Sequence, residues 1–201
     1  MGFFSKPILG KERTKALDEF RKRAVKALEE LKKNTKIPVE KQLFERMIYN
    51  VERMPIFFYP KKTLKERIFF AGGRIHASAV KGENVNIIRI YQKGKQRFII
   101  RDNYINMPAE HVFEGKKLSI DGIFTLGHEY AHFPKPALRQ FAMANNITGE
   151  QAEELLADVL SAKLAVGLGY PKENVLQHFK GRELVYGRIP FKRLIWNAVN
   201  R

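Results

Sequence analysis

The chain has 201 residues, 44% of them hydrophobic, enough for one well-cored domain and too few for two sizeable ones. Thirty-seven Lys and Arg against twenty-one Asp and Glu give a net charge of +16 and an isoelectric point near 10.0, and the hydrophobic content argues against disorder. The absence of cysteine excludes disulfides and thiolate metal ligands, no apolar stretch approaches the ~20 residues of a membrane span, and Met1–Leu9 is too soon broken by charge for a signal sequence; a cytoplasmic location is the expectation.

Two amphipathic helices come first. In Glu12–Lys32, Leu17, Phe20, Ala24, Leu28 and Leu31 recur at steps of three and four with Arg and Lys between them. In Pro38–Arg53, Val39, Leu43, Met47 and Val51 recur at four, Phe44 and Ile48 widen the face, and Pro38 holds a natural first-turn position. Both faces need a partner, a sheet to cover or a second copy of the chain, and the sequence does not choose.

From Arg67 the pattern shifts toward period two and β-branched residues, in Arg67–Ala71, Arg74–Val80, Asn84–Tyr91 and Gln96–Arg101 running on to Met107. Gly72-Gly73, Lys81-Gly82 and Lys93-Gly94 mark turns between these runs. They predict an antiparallel meander of three or four strands and, with the helices, an α+β fold. His76 and His111 read as ordinary strand and loop histidines, since neither sits in a helical pair.

The run Ile120–Phe133 carries Ile123, Phe124, Leu126, Gly127, Ala131 and Phe133 around His128-Glu129-Tyr130-Ala131-His132, which predicts a largely buried helix. Residues four apart on a helix share a face, so both imidazoles can point at one metal ion with Glu129 beside them. Two hydrogen-bonded core histidines would be the plainer account, but a buried glutamate between them needs compensation that a dication supplies. Pro134 and Pro136 follow, and a proline pushes the preceding residue out of the helical region; the helix is expected to end near His132 or Phe133 and the chain to turn away.

Thr148 and Gln151 form a capping box and Gly167 and Gly169 are stop signals, predicting a helix of roughly five turns between them. Ala152, Leu155, Leu156, Val159, Leu160, Ala162 and Ala165 make a wide apolar face, with Glu154 and Asp158 stacked at its edge. Glu154 can ligate a metal, and Asp158 can accept the second ring N–H of a ligating histidine. Glu153 is the competing ligand, but it lies roughly 100° around the helix from Glu154 and reads as an exposed acid favoured near a helix start. Beyond Gly169, a short helix at Lys172–Phe179 and an amphipathic piece with Phe191, Leu194, Ile195, Trp196 and Val199 are expected to dock on the domain; a sharper expectation puts this tail at the active-site cleft, restraining access. The chain thus divides into a helical region (1–64), a central domain (65–170) and a tail (171–201).

With His-Glu-x-x-His on one helix and Glu154-Leu-Leu-Ala-Asp158 on a later one, the chain resembles the gluzincin metallopeptidases. The short separation of the two motifs and the form Glu-Glu-Leu-x-Ala-Asp are similar to minimal archaeal gluzincins and to the metallopeptidase domain of plasmid antirestriction proteins. Asp102–Pro108 also looks like the edge strand that precedes the active-site helix in many zincins. The resemblance covers roughly residues 65–170. It implies a small zincin-like domain with a mainly antiparallel sheet, an active-site helix and a glutamate helix. One Zn2+ would be held by His128, His132 and Glu154, with Asp158 behind them, Glu129 as general base and a peptide or protein as substrate laid along the sheet edge. The group that stabilises the oxyanion has no counterpart in the motifs; His178 is the first candidate, followed by Tyr170, Arg182 and Tyr186. The charge of +16 suits a protein that meets polyanions and leaves room for nonspecific nucleic-acid contact. The alternative is therefore a nucleic-acid-associated protein whose zincin domain acts on DNA-bound proteins or has a structural or regulatory role.

Overall fold

The computed structural model describes residues 9–54, 56–59, 78–80, 89–92, 95–98, 104–132, 135–180 and 191–200. These make an α+β fold in which helix predominates. Helices α1 (Lys11–Asn34) and α2 (Pro38–Arg53) are joined by three residues and pack on each other, with Pro38 in the first turn of α2. Their apolar periodicity is spent inside the chain: Leu17, Phe20, Ala24 and Leu28 of α1 and Leu43, Phe44, Met47 and Val51 of α2 share one buried cluster with strand and helix residues from further along. That settles the partner the sequence left open.

The strands depart from a simple meander. β1 (Ile56–Tyr59), β2 (Ser78–Val80) and β5 (Tyr104–Pro108) form a three-stranded sheet in the order β1-β5-β2. β5 runs parallel to β1, with Ile56 opposite Ile105, and antiparallel to β2, with Ala79 opposite Ile105. β3 (Arg89–Gln92) and β4 (Lys95–Phe98) make a separate antiparallel hairpin, and β6 (Phe113–Glu114) and β7 (Lys117–Leu118) a third small pair. The strand Ile-Phe-Phe-Tyr between Pro55 and Pro60 has no polar residue to alternate, so period-two reasoning passes over it. And β5, taken for an edge strand, is paired on both sides, because β1 returns to it from about fifty residues upstream. The run Arg67–Ala71, the turns at Gly72-Gly73, Lys81-Gly82 and Lys93-Gly94, and His76 lie outside the described residues.

Helix α3 (Ile120–Tyr130) begins at Ser119, whose Oγ accepts the N–H of Gly122 at 2.9 Å. Helix α4 (Lys135–Asn145) follows, where the two prolines had suggested only a turn; Pro136 sits in its first turn, a place that a missing N–H leaves undisturbed. Helix α5 (Gly149–Gly167) starts at Thr148, whose hydroxyl accepts the N–H of Gln151. It closes with Gly169 at φ +88°, Gly169 N–H donating to Val166 and Tyr170 N–H to Ala165, the paired bonds of a Schellman turn that requires glycine there. Helices α6 (Lys172–Phe179) and α7 (Phe191–Asn200) complete the chain.

Helix α5 is the common wall of two apolar clusters. Leu156, Ala157, Leu160 and Leu164 face α1, α2, α3 and the sheet residues Phe58, Ile105 and Met107. Leu155, Ala162 and Ala165 face Phe124 and the tail residues Val175, Phe179, Phe191, Ile195 and Val199. The helices Lys172–Phe179 and Phe191–Asn200 pack on this side of α5, although Trp196 itself is 55% exposed. Among the described residues no helix is long and apolar enough to cross a membrane.

The link between α1 and α2 is tied to α5 by an ion pair, Lys163 Nζ donating to Glu40 Oε1 at 2.8 Å while Thr35 Oγ1 donates to Oε2 at 2.6 Å. Partial burial alone would raise the Glu40 pKa, but these two hydrogen bonds outweigh it and hold the carboxyl below its ordinary range. A depressed pKa contributes stability above the unfolded-state value, lost as pH falls through the folded one. Glu40→Gln is therefore expected to cost about 1 kcal/mol at neutral pH, and the gap to wild type should close as pH drops below about 4. Urea unfolding of both proteins at the two pH values checks this; a gap that persists in acid counts against it.

Candidate metal centre

The site is built where α3 and α5 come closest. A Cβ on Gly127 would stand 2.8 Å from Ser161 Oγ, and that hydroxyl donates to the Phe124 carbonyl at 2.9 Å, so the backbone of α3 lies directly against the small Ser161 side chain. Glu154, Asp158 and Ser161, spaced by four and three, form one stripe of α5. The contact at Gly127 presents that stripe to His128, the next residue on α3.

The result is a nest of two histidines and four carboxylates. His128 Nδ1 lies 2.8 Å from Oδ1 of Asp158, which is completely buried, and His132 Nδ1 lies 2.9 Å from Glu153 Oε1. The other ring nitrogens converge on Glu154, His128 Nε2 at 3.2 Å from Oε2 and His132 Nε2 at 3.9 Å from Oε1. The two imidazole rings are 4.9 Å apart and nearly perpendicular. Glu129, between them on α3, is 5% exposed.

Electrostatics give this arrangement its meaning. A carboxylate only accepts, so Asp158 and Glu153 fix both rings with a hydrogen on Nδ1. Each neutral ring then turns the lone pair of Nε2 toward the Glu154 carboxylate, acceptor against acceptor. Something positive must lie between them, a ring proton or a metal ion. With protons alone, burial would lower the His128 pKa, but the hydrogen bonds to Asp158 and Glu154 prevail and push it up to about 10. His132 goes the other way, lowered by burial and by the charge on His128 against the pull of Glu153. The hydrogen bond from His128 holds Glu154 below the ordinary carboxylate range, against the cost of its burial. His128, Glu129 and His132 bring ligand atoms within 4.8 Å of one another and could hold a metal ion.

No protein-family model, curated protein or solved structure matches the chain. Its chemistry is therefore read from the site's own atoms.

Of the residues singled out from sequence, His128, Glu129, His132, Glu154 and Asp158 come together. Glu153 joins them in a role the sequence reading withheld from it. Its side chain is only 24% exposed and lies 2.9 Å from His132 Nδ1, so it is not a solvated helix-start acid. Two perpendicular rings need carboxylates from two sides of α5, and the 100° offset that argued against Glu153 is what brings it to the second ring. His178 is not brought to this group: its ring stacks on Phe124 at 3.9 Å and its Nδ1 meets Asp121 Oδ1 at 3.0 Å, two turns of α3 before His128. Stacking on Phe124, which shares a cluster with Phe179, fixes it there. Tyr170 lies past the far end of α5 from Glu154, His111 lies in the short 3-10 turn Ala109–His111, and Arg182 and Tyr186 lie outside the described residues.

Asp158→Asn retains the shape but not the charge behind His128. It is expected to weaken divalent-metal affinity by about tenfold to a hundredfold, measured by chelator competition. Unchanged affinity would show that Asp158 does not orient the ring.

Proposed function

We propose that this chain is a zinc-dependent metallopeptidase of gluzincin type. The observation that carries the reading is the Glu154 carboxylate set against Nε2 of both histidines while each Nδ1 is held by a carboxylate of its own. Ligands of a four-coordinate zinc stand about 3.3 Å apart, and the 3.2 Å between His128 Nε2 and Glu154 Oε2 fits that spacing. His128, His132 and Glu154 are then the three protein ligands, and three is the number that leaves a fourth position for chemistry. Bound there, zinc would supply Lewis-acid polarisation of a scissile carbonyl and lower the pKa of a water molecule.

The chain's own residues do the rest. Glu129 takes a proton from the attacking water and returns it to the leaving amine. Asp158 and Glu153 keep the ligand rings in one tautomer and orientation. In this reading α3 and α5 are the active-site and glutamate helices of a zincin-like domain, and a peptide backbone adds to the sheet on the side of β2, the strand that lies against α3. A protein substrate in the cytoplasm fits the same reading.

Dialysed full-length protein should retain one equivalent of zinc, cleave an unstructured protein such as casein, stop when treated with a chelator and resume on zinc addition. Protein that binds no stoichiometric zinc, or a His132→Ala variant that cleaves as well as wild type, overturns the proposal.

A second reading is favoured by charge. Residues 61–101 hold eleven Lys and Arg against two Asp and Glu, so much of the +16 excess is concentrated in that segment. A zincin domain that acts on DNA-bound proteins, or serves a structural or regulatory role on nucleic acid, would use this excess as an anchor. Salt-dependent retardation of DNA in a gel tests it, and no retardation at low salt ends it.

A further inference from the structure

His128 and Glu129 lie within α3, but His132 does not. The last helical residue is Tyr130, and the chain leaves through Ala131 (φ −88°, ψ −2°) with Ala131 N–H donating to His128 and His132 N–H to Glu129. These are bonds across three residues, so the helical spacing of four does not by itself place the second histidine. A helix also leaves its last carbonyls without internal partners, and that of Tyr130 is one of them.

The partner comes from 80 residues upstream. Asn50 of α2, only 2% exposed, donates from Nδ2 to the Tyr130 carbonyl at 2.9 Å. The Tyr130 side chain is completely buried, and its hydroxyl accepts from Arg21 Nε of α1 at 3.1 Å. The same guanidinium donates from Nη2 to the carbonyl of Met54, the residue that ends α2, at 2.9 Å. Tyr130 is thus gripped at its backbone and at its side-chain tip by the helical hairpin. It stands between Glu129 and His132.

We infer that Asn50 and Arg21 are positioning residues for the metal centre, acting through Tyr130 to hold the irregular end of α3 so that His132 meets Glu153 and Glu154. The inference rests on the zinc reading given above. Asparagine in an apolar helix face is costly unless its amide is satisfied, and here that amide is spent on the carbonyl two residues before the second ligand. The N-terminal hairpin thereby becomes part of the site, although none of its residues is a ligand.

The test compares zinc affinity by chelator competition, and the visible absorption spectrum of the Co2+-loaded protein, for wild type, Asn50→Leu, Tyr130→Phe and Glu40→Gln. Asn50→Leu keeps volume and removes the donor, and Tyr130→Phe keeps the ring and deletes only the hydroxyl. Glu40→Gln loosens the same hairpin away from Tyr130. The expected result is a loss of about tenfold or more in zinc affinity for Asn50→Leu, a smaller loss for Tyr130→Phe, altered Co2+ spectra for both, and no change for Glu40→Gln. Unaltered affinity and spectrum in Asn50→Leu, or equal weakening in all three variants, overturns the inference; if Asn50→Leu does not fold, Tyr130→Phe decides. Should wild type bind no zinc, the zinc reading falls and the clamp falls with it, whereas zinc-binding wild type with unaffected variants refutes the clamp alone.

Discussion

Glu129→Gln is expected to lower peptide hydrolysis about a thousandfold while zinc content stays at the wild-type level. Glutamine matches the size of the side chain and keeps an oxygen acceptor, but at neutral pH it cannot take a proton. A positioned general base contributes about 10²- to 10⁴-fold. Glu129 is 5% exposed on the same helix as His128, and bulk water has little room to substitute for it. The proposed ligands His128, His132 and Glu154 are untouched, so metal retention and rate should separate in this variant. Parallel measurement of kcat/KM and zinc stoichiometry on protein purified from a peptidase-deficient host is the check. Activity within tenfold of wild type would place the base elsewhere.

Gly122→Ala should destabilise the fold by about 3 kcal/mol or more, although alanine in an exposed helix would be the better residue by about 1 kcal/mol. The reversal of sign comes from contact. A Cβ at Gly122 would run into the Val112 carbonyl oxygen and stand 2.6 Å from its Cα, and these are backbone atoms that no rotamer change can move. The same carbonyl accepts the Ser119 N–H at 2.9 Å, and Ser119 in turn caps Gly122, so shifting the chain to admit a methyl group breaks the start of α3. Gly127 offers a contrast: its close neighbour is the Ser161 hydroxyl, a side chain, and Gly127→Ala should be partly relieved by Ser161→Ala. Urea unfolding measures both. A Gly122→Ala variant within about 1 kcal/mol of wild type would contradict the packing described here.

Much of the site could be read from spacing because it is local. His128 and Glu129 lie on one helix, and Glu154 and Asp158 are one turn apart on another, so the period of 3.6 residues places each pair before any tertiary structure is known. The apolar periodicity of α1 and α2 was legible for the same reason, as were the caps at Thr148 and Gly169. What could not be read depends on how elements cross. Glu153 serves His132 only because α3 and α5 touch at Gly127 and Ser161, and that angle is written in no single segment. Asn50 looks like a blemish in an apolar face until Tyr130 is set beside it. The central place of β5 rests on a pairing with β1 across about fifty residues, and β1 carries no alternation to announce it. His178 was drawn toward the site by chemical type alone, and a stack on Phe124 and a carboxylate at Asp121 hold it elsewhere.

The double role of α5 bears on how such a chain could be shortened or recombined. One side of that helix is lined by the N-terminal hairpin and the other by the C-terminal helices, and Glu153, Glu154 and Asp158 ride on it. Trimming either end would strip apolar cover from the rod that carries the acids, and cutting away the tail would weaken the site before it could widen any entrance. The three stretches of sequence behave as a keystone and its two abutments: the cluster of histidines and carboxylates is not a cassette that can be lifted out, and a minimal fragment that keeps it would have to keep all three.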